Sequence, residues 1–258
     1  MRLLAWIDGR VVEASELRLQ NPYVMQRIHT LENVTYNVDA HIEVLRRESE
    51  RLFGFASVIC AKDVQRIIGR LIELSHVTGS LSVPVVMRLD SSASLSFEVE
   101  KPTFGCGGYL RAKRVPGVLL TMDLPKSVAQ TSVSVALDAM ADCEVQHLGG
   151  GVAVWVDLDD KLISRPWSPI FVFYNGVWFT PAEYPSVEYS VVAEAIKSVG
   201  QQLYVRDIPA SALELVDEVF VADIMGLTSI ASIKKHRLLS SMTTRIASVM
   251  EPKVWETR

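Results

Sequence analysis

The sequence predicts an α+β chain in two domains: a small N-terminal α/β domain over residues 1–114 and a larger C-terminal, β-rich domain with flanking helices over 118–258. Three observations predict it. The apolar pattern switches repeatedly between the period of a strand and that of a helix. Asp8-Gly9 and Asn175-Gly176 each stand between short apolar runs, the signature of a type I′ hairpin turn. Lys113-Arg114-Val115-Pro116-Gly117 has the composition of a linker or sharp turn, which sets the boundary.

In chain order, Leu3–Ile7 and Arg10–Glu13 form the first hairpin. Asp39 is placed to cap a helix carrying Ile42, Leu45 and Leu52, stopped by Gly54. Asp63 opens a second helix with Val64, Ile67, Ile68, Leu71 and Ile72 inward, ending near Gly79. Val83–Arg88 and Leu95–Val99 are strands. Beyond the boundary come a strand (Val118–Met122), a helix (Ser132–Gln146) and the run Gly149-Gly150-Gly151. No strand precedes that run and no Lys-Ser/Thr follows it, so it reads as a helix-to-strand connection, not a nucleotide loop. Strands follow at Val152–Val156, Ile170–Tyr174 and Val177–Phe179. Then come a helix (Val187–Val199), a strand (Leu203–Arg206), a short helix opened by Pro209, a strand (Val219–Ala222) and a terminal helix (Ser240–Met250).

Composition excludes several functions. The 258 residues carry a formal net charge of −4 and no Lys/Arg run, so there is no electrostatic footprint for nucleic acid. No apolar run approaches a membrane span, and Met1–Ile7 is too short for a signal-peptide core. Cys60, Cys106 and Cys143 form neither a metal pattern nor a disulfide framework, and the five histidines are scattered. A soluble, cytoplasmic protein without a metal is expected.

The order of the pieces resembles the class IV, PLP-dependent aminotransferases, the family of branched-chain aminotransferase, D-amino-acid aminotransferase and aminodeoxychorismate lyase. Trp6-Ile7-Asp8-Gly9 resembles the family's opening hairpin, and Val38-Asp39-Ala40-His41-Ile42-Glu43-Val44-Leu45 its L-D-x-H-L-x-R-L helix start. Asp157-Leu158-Asp159-Asp160 resembles its L-D-x-x-G turn, and Ile170-Phe171-Val172 through Thr180-Pro181 its N-I-F…T-P segment. Asp217-Glu218-Val219-Phe220 resembles A-D-E-V-F. The resemblance runs over nearly the whole chain and implies a two-domain class IV aminotransferase-like fold and a homodimer.

It also implies where cofactor residues should lie, and the required types are missing there. The Schiff-base lysine falls near Gln130-Thr131-Ser132, with Lys126 upstream as a displaced substitute. The phosphate arginine falls on Val44. The glutamate that pairs with the pyridine nitrogen falls on Ser164, beside Arg165, whose charge disfavours protonation of that nitrogen. The helix-start phosphate anchor reads Pro185-Ser186-Val187-Glu188, and the next Ala222-Asp223-Ile224, each with a carboxylate that repels a phosphate. On these types no PLP is expected.

What remains is a set of polar residues that the resemblance maps to a cleft. His29 is a candidate acid–base group, with Arg88 and Arg165 as bidentate carboxylate clamps. Glu32, Ser132, Ser164, Trp167 and Asp223 are candidate substrate contacts. The expected function is a PLP-independent elimination, isomerisation or cyclisation on a small carboxylate metabolite, chorismate-like in one version. Beside it stand a non-catalytic partner subunit, with Trp167, Tyr174 or Tyr184 filling the vacated space, and a PLP enzyme using a displaced lysine. Arg88 can alternatively pair with Asp90, Glu98 or Glu100, and Arg165 can stack on Trp167.

Overall fold

In a computed structural model describing residues 3–31, 34–77, 82–101, 114–122, 127–224 and 226–256, the chain divides into two units. The elements in order are β1 (Leu4–Ile7), β2 (Arg10–Glu13), β3 (Tyr23–Leu31), β4 (Val34–Thr35), α1 (Val38–Phe53), α2 (Ala61–Leu74), β5 (Ser82–Asp90) and β6 (Leu95–Val99). Next come β7 (Val115–Thr121), β8 (Gln130–Thr131), α3 (Ser132–His147), β9 (Val152–Val156), β10 (Ile170–Tyr174), β11 (Val177–Thr180), α4 (Val187–Ser198) and β12 (Leu203–Val205). A 3₁₀ turn (Ala210–Glu214), β13 (Glu218–Asp223), β14 (Gly226–Ile233), β15 (His236–Arg237) and α5 (Ser241–Glu256) complete the chain.

The first unit is an antiparallel sheet in the order β2-β1-β6-β5-β3-β4, with β8 also paired to β3. Asp8 and Gly9, at φ 44° and 91°, make the tight turn expected of the first hairpin. Alternation then sorts the sheet. Val24, Ile28, Val85, Met87, Phe97 and Val99 face α1 and α2 and close a core over Leu45, Ile68 and Leu71. The α1 helix begins one residue before Asp39. Its N-cap is Asn37 in the left-handed region, and Gly54 at φ 78° ends it. Cys60 stands at the start of α2, so Asp63, like Asp39, lies in a first turn, where its charge suits the helix dipole. The α2 helix ends at Leu74, and Gly79 lies outside the described residues.

The second unit holds a mixed sheet, β12-β11-β10-β13-β14-β7-β9, with β15 on β14. One face packs Ile170, Val172, Val219 and Val221 against the 3₁₀ turn. The other packs Phe171, Trp178, Phe220 and Leu227 against α4 and α5. The glycine run connects α3 to β9. Gly149 takes φ 73°, and an added Cβ at Gly150 or Gly151 would overlap Val118 or Val115.

Two expectations are corrected. Val115-Pro116-Gly117 is no linker: it begins β7, which is flanked by β14 and β9. Proline lacks the donor a ladder needs, and the pairing shifts register at this point, between Ile230 and Ser232. Residues 127–133 also pack with the first unit, although they follow β7 in sequence. Among the described residues no helix is long and apolar enough to cross a membrane.

Candidate functional site

In the first unit, the sheet face turned away from α1 and α2 carries the polar residues. Antiparallel register sets Met25 opposite both Arg88 and Gln130, and Arg88 opposite Ser96. Paired residues share a face, so Gln130, Met25, Arg88 and Ser96 form one row. His29 is opposite Pro84 on the same face, four residues further along β3, or about 13 Å. It is buried and lies against the Tyr36 ring, with centroids 5.8 Å apart. Arg88 Nη2 is 2.7 Å from Glu98 Oε2, and the guanidinium sits over Tyr23. One of the arginine's pairing options is therefore realised, while its Nε and Nη1 are buried without a hydrogen bond.

The segment before Gln130 is anchored by a carboxylate. Glu48 on α1 accepts from Arg51 Nη2 (2.8 Å), Ser127 Oγ (2.8 Å) and Val128 N (3.3 Å). Burial pushes the Glu48 carboxyl up. The hydrogen bonds from Arg51 and Ser127 outweigh it and hold the group below the ordinary carboxylate range. Gln130 and Thr131, in β8, follow directly on this anchored segment, and Ser132 comes next in the chain. Val44, one turn after His41, is buried on α1.

In the second unit, Ser164, Arg165 and Trp167 come together on the loop before β10. Ser164 Oγ accepts from Ile170 N at 3.2 Å, and Ser164 O accepts from Tyr184 Oη at 2.7 Å. Burial raises the Tyr184 hydroxyl above its ordinary pKa, so it stays a donor. Ser186, the N-cap of α4, donates to Pro166 O at 2.7 Å, tying this loop to the helix start. Arg165 is 5% exposed and lies over two indoles, 5.0 Å from the Trp155 centroid and 4.6 Å from that of Trp167. Its Nη1 is ion-paired with Asp138 Oδ1 on α3, and Trp167 Nε1 donates to Asp138 Oδ2 at 3.3 Å. The Nε and Nη2 atoms of Arg165 are buried with no hydrogen-bond partner.

The structure thus assembles Ser164, Arg165 and Trp167 in one unit and sets His29 and Arg88 on one sheet face of the other. Ser132 begins α3, and Asp223 ends β13 opposite Gly226. Glu32 and Lys126 lie outside the described residues. Sequence reasoning missed Asp138 and Trp155. They lie 27 and 10 residues from Arg165 in the chain, and only the fold brings them to it.

No family model matches this chain, and no curated protein does. Solved structures do. The branched-chain aminotransferase from Thermoproteus uzoniensis with norvaline superposes with a TM-score of 0.81 at 19% identity, over 98% of this chain and 95% of that one. An aminotransferase from Brucella abortus bound to PLP gives 0.81 at 15% identity, over 100% of both chains. The T.th. branched-chain amino acid aminotransferase, complexed with N-(5'-phosphopyridoxyl)-L-glutamate, gives 0.80 at 13%, over 99% and 95%. The chain has the class IV aminotransferase fold.

That likeness corrects the expectation of a chain without cofactor. Proteins of this same fold are solved with PLP or a phosphopyridoxyl group in place. Substituted side chains at such positions would change how a cofactor is held. They leave intact the main-chain N–H groups of a helix start, which bind phosphate without any side chain. The residues present fit one part of such a site poorly. Gln130, Thr131 and Ser132 offer no amine for an imine, and Ser164 offers no carboxylate for a pyridine nitrogen.

Proposed function

We propose that this chain is a degenerate member of the aminotransferase fold, without the attachment lysine at 130–132, that binds a small carboxylate metabolite through Arg165. Elimination, isomerisation or cyclisation by positioning and acid–base chemistry is the reaction class that such a site suits. The observation that carries the reading is the pair of unpartnered donors on Arg165. A buried guanidinium with two idle nitrogens is costly unless something accepts from them. A carboxylate does so bidentately. The two indoles and Asp138 hold the guanidinium in place before any ligand arrives, so little freedom is lost on binding.

A second reading, a non-catalytic subunit, is favoured by Asp138 already taking one guanidinium edge and by Tyr184 closing on Ser164. Calorimetric titration with norvaline, glutamate, succinate and chorismate separates the two. The first reading expects saturable binding of at least one of them. In Arg165→Lys, which keeps the charge but loses the planar fork, that binding falls at least ~10-fold, about 1.4 kcal/mol. No binding by any of the four, or equal binding by the variant, sinks it.

A further inference from the structure

We propose that the second unit holds a binding site for a short-chain monocarboxylate, with Arg206 as its anion partner. A cavity of about 90 Å³ lies between β10, β11 and the 3₁₀ turn, walled by Val172, Tyr174, Phe179, Ala212 and Leu215, with Arg206 as its only charged wall among the described residues. None of its residues belongs to the group around Arg165.

Three features point to the ligand. The Arg206 guanidinium lies 4.4 Å from the Phe179 ring centroid, and its main-chain N donates to Thr180 O at 3.0 Å, so the charge is held against the cavity wall. No carboxylate pairs with it among the described residues. The adjacent Asp207 is engaged instead by Lys161 at 2.6 Å. Beyond Arg206 the wall is almost wholly aliphatic and aromatic, so the alkyl part of a ligand meets surface of its own kind.

Size and polarity narrow the class. An apolar cavity of roughly 150 Å³ takes a benzene ring, so 90 Å³ takes an alkyl group of three or four carbons with its head outside. The unpaired cation selects an anionic head over an alcohol or an amine. A dicarboxylate would bury its second charge among aliphatic groups.

The test is titration of the intact protein with butyrate, followed by calorimetry and by chemical shifts of the Phe179 ring. One saturable site that moves the Phe179 ring shifts is expected, and by those same shifts 1-butanol, butylamine and succinate should each bind it at least ~10-fold more weakly, a difference of about 1.4 kcal/mol. Arg206→Gln should weaken butyrate by a similar factor. Arg206 is exposed, so this variant should melt with the parent. Ala212→Leu, which fills the cavity and leaves the charge, should abolish binding, and Arg165→Lys should leave it unchanged. No saturable binding, or 1-butanol binding as tightly as butyrate, overturns the proposal. So does butyrate binding that survives Arg206→Gln and Ala212→Leu but is lost in Arg165→Lys. That last outcome would assign the anion to Arg165 and leave the proposed function of that residue standing.

Discussion

His41 sits wholly buried on α1, its Nδ1 2.9 Å from Gln26 Oε1 and its Nε2 without a partner. Burial lowers its pKa from 6.5 to about 3. In the unfolded chain the ring takes up a proton near pH 6.5, and in the folded chain it resists doing so. The unfolded state therefore binds more protons between those values, and stability rises with pH across the interval. The contribution is complete above pH 6.5 and is lost as pH falls towards 3, with a slope of up to about 1.4 kcal/mol per pH unit. Urea unfolding at pH 7 and pH 5 should show this loss in the parent and a flatter response in His41→Gln. Equal slopes would mean that the ring is solvated in the folded state. The histidine's position in a helix start was legible from the sequence, whereas its burial against Gln26 was not. The same holds for Arg165: the stack on neighbouring Trp167 was readable, but Asp138 and Trp155 reach the guanidinium only through tertiary packing.

At the scale of elements, Glu218 shows how one residue joins two of them. It opens β13 and is buried, yet its carboxylate accepts from Ser241 Oγ, Met242 N, Thr243 N and Thr243 Oγ1 at 2.8–2.9 Å, satisfying the start of α5. Negative charge suits that end of a helix. Glu218→Ala strands these donors and should cost roughly 2–4 kcal/mol, read from denaturant midpoints at unchanged m. Glu218→Gln keeps the shape and loses the charge, so it should cost less. A midpoint shift within error for both would mean that the carboxylate does not hold α5 in place. Elements with strong local chemistry were legible in the sequence. Both hairpins turn at their Asx-Gly pairs, with Asn175 and Gly176 at φ 49° and 82°. By contrast, β14 escaped, because Gly226–Ile233 mixes Leu227, Ile230 and Ile233 with Thr228, Ser229 and Ser232 in no alternating order, and Thr228 and Ser229 are buried beside the apolar residues. With both faces covered, the strand has no alternation to detect. The Pro-Gly start of β7 misleads for a related reason. An added Cβ at Gly117 would lie 3.0 Å from Ile230, so this glycine permits close packing and marks no turn.

Over the whole molecule, the order of short motifs, from the Asp8-Gly9 hairpin to Asp217-Glu218-Val219-Phe220, identified a fold that superposes along nearly the full length of structures 13–19% identical. Burial pattern and turn chemistry survive such divergence because many residues of similar volume satisfy them. Site chemistry does not: it depends on single residue types, and a glutamine cannot stand in for an amine. The proposed function holds that fold and chemistry separate in this chain, and it rests on the residue types at 130–132 and 164, which the fold alone does not fix. The most direct test of that separation is a PLP titration followed by absorbance, then borohydride reduction and intact-mass analysis. Reduction is expected to leave every lysine unmodified, whatever PLP the fold takes up non-covalently. Stoichiometric pyridoxyl label on one lysine, Lys126 included, would contradict this and define an attachment site of the ordinary kind.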